Sequence, residues 1–339
     1  MTITLNNKKT GIANPVITPA ASNLLLSTNF AGTTGTGSFA STFVLTGTDR
    51  ETGLVWPDND GDHETPLNIL YANLFHFYDT PPETINAASW PTYYAGEIQT
   101  VTGPDATSEK ALYLEVKSQL APSRSQIELQ LQRINNSTDT AAIGDLPHLY
   151  TSYWIKRPAS VLAGMAVGDA LVQFDYKTGG GAAGSGHYGG DARLIQELYK
   201  AANGNAYLRT RLDRNANGTM TNAPDGILPW TVSGFRYWQE IDKAVPFPFD
   251  QWVKYEMYIY RHPKNGIVLC AINDQIVCAH VGRTMGEFGN YWGRLFPIIC
   301  YGTFAPNPLW ACRLRFRDYP PAGSVIQMPA ANLLDRYAA

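Results

Sequence analysis

Arg124-Ser125-Gln126-Ile127-Glu128-Leu129-Gln130-Leu131-Gln132 alternates long polar and branched apolar side chains without a break. A strand sends successive side chains to opposite faces. This one therefore puts Arg124, Gln126, Glu128, Gln130 and Gln132 on one side and Ile127, Leu129 and Leu131 on the other. The apolar side is core. The polar side is a row of hydrogen-bonding groups headed by a guanidinium. Such a row suits a sheet that grips something polar, flat and repetitive, such as a sugar chain.

Strand patterns continue on both sides of it. They run through Leu24–Leu26, Phe39–Leu45, Ala111–Val116, Leu149–Lys156, Ala170–Lys177, Ala206–Asp213, Trp252–Arg261, Leu295–Tyr301 and Trp310–Asp318, with a hairpin over Ile267–His280. Evenly spread strands with Gly and Pro turns predict an all-β, two-sheet antiparallel sandwich with long loops. Helical spacing is present only at Asp191–Ala202 and Pro66–Phe77. Two segments read as irregular: Thr178–Gly190, a glycine-rich loop with the character of a lid, and Asn215–Phe249, rich in Pro, Gly and aromatics. The expected organisation is an extended N-terminal arm over 1–22, one sandwich domain over 23–320 and a C-terminal tail over 321–339. The arm is expected to dock on its own body or on a neighbouring subunit, which allows self-association.

Composition agrees. Of 339 residues, 44% are apolar and only 16% charged, while Gly (30), Pro (22), Tyr (19) and Trp (8) are plentiful. A net charge of −3 supplies no field that would attract nucleic acid or an anionic membrane. No apolar run is long enough to span a bilayer. Met1–Ala20 lacks the apolar stretch of a secretory signal. The expected setting is the cytoplasm, a virion or similar assembly, or the exterior after removal of a signal.

The cysteines are Cys270, Cys278, Cys300 and Cys312. With Asn273-Asp274 as a two-residue turn and a regular ladder, Cys270 would face Val277 and Cys278 would face Leu269. The two thiols would then point to opposite sides, and buried free thiols are expected. No CxxC spacing suggests zinc.

Further polar rows follow the opening one. They are Gln173, Asp175 and Lys177; Tyr207, Arg209, Arg211 and Asp213; and Trp252, Lys254, Glu256, Tyr258 and Tyr260. Ordinary solvated faces favour Thr, Ser, Lys and Glu, whereas Arg, Gln, Tyr and Trp dominate here. Planar amides and guanidinium groups suit paired hydroxyl or carboxylate oxygens, and aromatic rings suit the apolar face of a pyranose.

Trp252-Val253-Lys254-Tyr255-Glu256-Met257-Tyr258-Ile259, followed by Asn265–Leu269 and Asn273–Val277, resembles the tryptophan-led strand and hairpin of polysaccharide lyases. These are the alginate, glucuronan and heparin lyases with a concanavalin-like β-jelly roll. The resemblance spans Leu24–Tyr319 in element order. It implies a site built on three strands. Arg124-Ser125 matches the start of an R-[ST]-E-L-R strand, with Gln126 at the glutamate position and Glu128 at the second arginine. Gln173-Phe174-Asp175 resembles a Q-I-H strand, with Asp175 in place of histidine. Phe296–Tyr301 resembles Y-F-K-x-G-x-Y, keeping Phe296 and Tyr301.

The implied chemistry is β-elimination on an acidic polysaccharide. Arg124 and Gln173 would neutralise the uronate carboxylate, and Tyr301 would act as acid or base. His187 or Tyr188 on the glycine-rich loop would stand in for the histidine, with His148 and Tyr153 as further candidates. Gln126, Glu128, Gln130, Asp175, Lys177, Arg209, Arg211 and Tyr188 would line the groove. No cofactor is required. Asp213-Arg214-Asn215-Ala216-Asn217-Gly218 has the oxygen-ligand spacing of a calcium loop through Asp213, Asn215 and Asn217, although Pro224 stands at its twelfth position. Asp58–Glu64 is a second acidic cluster.

The alternative is a jelly roll without catalysis, which binds glycan or builds a larger assembly such as a phage tail or virion decoration. A glycoside hydrolase needs paired carboxylates, and Gln239-Glu240-Ile241-Asp242 is the nearest such sequence.

Overall fold

The computed structural model describes residues 22–37, 42–50, 53–56, 67, 69, 71–78, 90–118, 125–133, 146–178, 192–214, 236–286, 291–302 and 304–326. The first strands are β1 (Leu24–Thr28), β2 (Thr33–Gly37), β3 (Thr42–Thr48), β4 (Val55–Trp56) and β5 (Tyr71–Tyr78). A short α1 (Trp90–Tyr93) precedes β6 (Tyr94–Thr102), β7 (Ser108–Val116), β8 (Ser125–Gln132) and β9 (His148–Lys156). After α2 (Ala159–Gly164) come β10 (Ala170–Thr178), β11 (Ala192–Lys200), β12 (Ala206–Arg214), β13 (Arg236–Ile241) and β14 (Trp252–Tyr260). The chain continues through β15 (Gly266–Ile272), β16 (Gln275–Gly282), β17 (Trp292–Gly302) and β18 (Asn307–Arg317).

Two antiparallel sheets face each other as a jelly-roll sandwich. One runs β16-β15-β14-β9-β18-β7-β6, with β1 added on β18. The other runs β13-β12-β11-β10-β17-β8-β5-β3-β2, with β4 added on β3. The core lies between them. Ile127, Leu129 and Leu131 of β8 are fully buried there, as the alternation of that strand predicts. Leu112, Leu114, Leu149, Val253, Met257, Leu295 and Leu314 are likewise at 0% exposure. Each large aliphatic side chain buried this way contributes about 1.5–3 kcal/mol.

The two helices expected from spacing are strands. Ala192–Lys200 is β11, with Leu194 and Leu198 in the core and Ile195 packed on the far face with Val172 and Ile299. Gln196 is also turned inward, where its Nε2 donates to Thr210 Oγ1 at 2.9 Å. Apolar groups on both faces and an amide in the core erase the two-residue period. Within Pro66–Phe77, residues Tyr71–Phe77 belong to β5, an interior strand between β8 and β3. Part of the expected loop Asn215–Phe249 is also regular: Arg236–Ile241 forms the edge strand β13.

The hairpin turn is as expected. Asn273 and Asp274 both hold positive φ (45° and 61°), which is the mirror-image turn that matches strand twist. The ladder beyond it is not regular. Ile272 pairs with Gln275 and Ala271 with Ile276, but Cys270 then pairs with Cys278. Val277 is the extra residue of a β-bulge. The expected facing of Cys270 with Val277 is therefore corrected: the bulge shifts the register by one, and the two thiols lie on the same, core-directed face. All four cysteines are buried and reduced.

The first and last strands lie side by side. β1 pairs with the last strand, Leu24 opposite Arg317 and Thr28 opposite Leu314. Asn23 binds the Asp318 carboxylate through its backbone N–H at 2.6 Å and its amide at 2.7 Å. Residues 319–326 then cross the outside of the first sheet. Ile326 is buried there among Tyr150, Tyr258 and Leu269, and Ser324 Oγ donates to Glu256 at 2.6 Å.

Candidate functional site

The outer face of the β13-to-β2 sheet carries the charged groups. Register places them in rows. One row reads Gln126 (β8), Tyr301 (β17), Val172 (β10), Glu197 (β11), Arg209 (β12). A neighbouring row contains Arg294 (β17), Lys177 (β10), Arg193 (β11) and Asp213 (β12). Asp175 and Glu128 stand between the rows, Asp175 opposite Phe296 and Glu128 opposite Ile299. The three strands that carry the quoted motifs, β8, β17 and β10, are thus direct neighbours.

Acids and bases alternate across this face. Arg193 Nη2 meets Asp175 Oδ2 at 2.6 Å, and Lys177 Nζ meets the same oxygen at 3.3 Å. Glu197 is bound by Arg209 and, at 2.9 Å, by Arg211 Nη1. Asp213 takes Arg211 Nε at 3.0 Å and Arg236 Nε at 3.2 Å. Rings fill the gaps: Lys177 Nζ lies 4.7 Å from the Phe296 centroid, and the Arg209 guanidinium 4.4 Å from that of Tyr199. Tyr301, half-buried, packs against Val172, Ile195 and Ile299.

Burial and charge set the protonation states. Burial works to raise the Asp175 pKa, but Arg193 and Lys177 outweigh it and hold this carboxyl below its ordinary value. Glu128 goes the other way. Its carboxyl is 2% exposed and burial pushes its pKa up to about 8, against the pull of Lys177 and with the help of Asp175. The Gln126 amide donates to it. At neutral pH Glu128 is therefore mainly a neutral acid, able to donate a proton or a hydrogen bond. Burial lowers the pKa of Lys177.

Gln173 is not on this face. Val172 pairs with Glu197, and Phe174, not Gln173, pairs with Gln196, so Gln173 is the additional residue of a bulge in β10. Its side chain turns between the sheets, 2% exposed, and its Oε1 accepts from Arg157 Nε (3.0 Å) and Nη2 (2.8 Å). Arg157 Nη1 also donates to Asn307 Oδ1 at 2.5 Å, and Nη2 to Ile299 O at 3.2 Å. Arg157 is fully buried and burial lowers its pKa. The expected row Gln173, Asp175, Lys177 is thus corrected to Val172, Asp175, Lys177.

The other expected residues divide as follows. Gln126, Glu128, Asp175, Lys177, Arg209, Arg211 and Tyr301 come together on this one face. Gln130 belongs to the same row of β8, opposite Asn73. Arg124, His187, Tyr188, Asn215, Asn217 and the Asp58–Glu64 cluster lie outside the described residues. Asp213 spends both carboxylate oxygens on Arg211 and Arg236. Among the described residues no group of three His, Cys, Asp or Glu side chains could hold a metal.

His148 and Tyr153 are elsewhere. His148 stacks on Tyr260 and Tyr319, at 4.7 and 4.5 Å, outside the other sheet. Tyr153 is buried in the core. The row from Trp252 to Tyr260 also belongs to that other sheet. Glu240 faces His280 across the sandwich edge at 2.9 Å and forms no carboxylate pair on the charged face.

Sequence reasoning missed Arg193, Glu197, Arg236 and Arg294. The first two fell in the misassigned helix. Reading Arg193, Ile195, Glu197 and Tyr199 with period two would have found them.

No family of sequences matches the chain, and no curated protein does. Several solved structures show a likeness in strand arrangement. A marine PL-14 alginate lyase from Aplysia kurodai is 13% identical, with 71% of this chain and 97% of that one covered at a TM-score of 0.39. An alginate lyase from Chlorella virus is 10% identical, covering 67% and 90% at 0.37. Domain 4 of a GH43 extracellular arabinanase from Geobacillus stearothermophilus, bound to arabinotriose, is 10% identical, covering 88% and 94% at 0.39. At scores of this size neither substrate nor mechanism passes from these proteins to this chain.

Proposed function

We propose that the outer face of the β13-to-β2 sheet binds an acidic polysaccharide, and that β-elimination at Tyr301 is the reaction such a face would carry out. One observation supports this most. Among the described residues, Lys177, Arg193, Arg209, Arg211, Arg236 and Arg294 share the face with Glu128, Asp175, Glu197 and Asp213, and Glu128 is mainly neutral at pH 7. The face is therefore cationic on a chain whose net charge is −3. The ion-pair lattice holds these cations in fixed positions, which lowers the ordering cost of binding a repeating anion.

In elimination a uronate carboxylate must be neutralised before its α-proton can leave. Gln173 is committed to Arg157, so that task would fall to Arg124, to Arg193, whose charge Tyr301 feels, and to the protonated Glu128. Tyr301 would then take or give the proton. The commitment of Gln173 also favours a second reading, in which the face binds glycan and does not cut it.

Incubation with alginate, polyglucuronate and heparin tests both. Retention in affinity electrophoresis is expected for acidic chains and not for neutral ones, weakening as salt screens the cations. Arg294→Glu is expected to weaken retention about tenfold. Ultraviolet absorbance of an unsaturated product reports cleavage, and Tyr301→Phe should cut that rate about 10²–10⁴-fold while leaving binding intact. Binding without product selects the second reading. Absence of both rejects the polysaccharide.

A further inference from the structure

We propose that Cys270 and Cys278 are a modification site, a cross-strand disulfide that closes when the protein meets a disulfide oxidant such as oxidised glutathione. The two residues are direct partners in the ladder between β15 and β16. Directly opposed residues of an antiparallel pair have Cα atoms about 4.5 or 5.5 Å apart. A disulfide spans Cα separations of about 4.4–6.8 Å. The backbone separation expected of such partners is therefore one that a disulfide can span. Both side chains point into the core, and Cys270 is the foremost influence that raises the pKa of the Cys278 thiol.

The surroundings single out this pair. Cys300 sits in the other sheet and donates to Leu114 O at 3.4 Å. Cys312 lies on β18 opposite Trp154. The Cys270–Cys278 pair lies where two edge strands meet, since β16 ends one sheet and β13 the other. Cys278 Sγ is 3.6 Å from Glu240 Oε2, Glu240 Oε1 is 2.9 Å from His280 Nδ1, and His280 stacks on Trp238 at 3.8 Å. Edge strands open more readily than interior ones, which gives an oxidant its access. Cys270, with burial, keeps the Cys278 thiol from ionising, so closure is slow in the closed fold and faster whenever β16 detaches.

The step balances. One cysteine thiolate attacks the glutathione disulfide, forms a mixed disulfide and releases one glutathione. The second cysteine attacks that mixed disulfide at the protein sulfur and releases the other. The protein loses two hydrogens, and one glutathione disulfide becomes two thiols.

The test uses the full chain, both incubated natively and refolded with oxidised glutathione. Thiols are then counted under denaturant, and peptides are mapped by mass spectrometry. The thiol count should fall from four to two, with one peptide joining Cys270 to Cys278. Tm should rise by several degrees and return on reduction. Cys278→Ser should keep its remaining three thiols. Four thiols after both treatments, a stable glutathione adduct, or a linkage through Cys300 or Cys312 would overturn the assignment.

Discussion

Replacing Arg157 with alanine should lower the stability of the folded protein by about 3–5 kcal/mol, the range for a buried, hydrogen-bonded charge whose partners are left behind. The guanidinium is wholly buried and joins three strands through Gln173 of β10, Asn307 of β18 and the Ile299 carbonyl of β17. None of those partners is a carboxylate. The group is held by neutral dipoles, and its removal strands the Gln173 carbonyl and the Asn307 amide between the sheets. Urea unfolding measures the effect. Arg157→Lys should restore only part, because an ammonium cannot span the same fork. A double-mutant cycle with Gln173→Ala should show coupling above about 1 kcal/mol. Loss of less than that from the alanine variant would mean water takes over, and that the bulge in β10 is held by something else.

Glu128→Gln should stabilise the protein, and more so as the medium becomes alkaline. The folded state keeps the Glu128 proton up to about pH 8, whereas the unfolded chain releases it near 4.5. A carboxyl whose pKa is raised on folding contributes fully below its unfolded value, and that contribution drains away as pH climbs through the folded value. Between pH 4.5 and 8 the wild type should therefore lose a few kcal/mol that the glutamine variant keeps. Thermal unfolding of both proteins at pH 5 and pH 9 checks it. The gap in Tm should be small at the lower pH and widen at the higher. A constant gap would show that Glu128 ionises normally in the fold.

Much of the fold was legible in sequence because most strands have one apolar and one polar face. β8, β12 and β14 obey the two-residue period, and their core sides are as read. The failures have two physical causes. β11 is buried on both faces, so Ile195 joins Leu194 and Leu198 as an apolar residue and the pattern mimics a helix turn. Elsewhere a single added residue reset the period. The bulge at Gln173 moved an amide from the charged face into the core, and the bulge at Val277 brought two thiols together. Nothing local marks either residue. The first places Gln173 against Arg157, just past the end of β9, a partner far from it in space until the sheets pack. The candidate site was legible as rows of Arg, Gln and Glu. Which acid each base would claim was not, since those pairings join strands far apart in the chain.

The clasp between the first and last strands has a practical side. Because Asn23 and Asp318 are hydrogen-bonded neighbours, the first and last strands of the sandwich are fastened at one point. A unit wired this way behaves as a cassette. A chain cut back to those two residues would present its ends side by side, ready to be joined by a short peptide or set into a surface turn of a host protein.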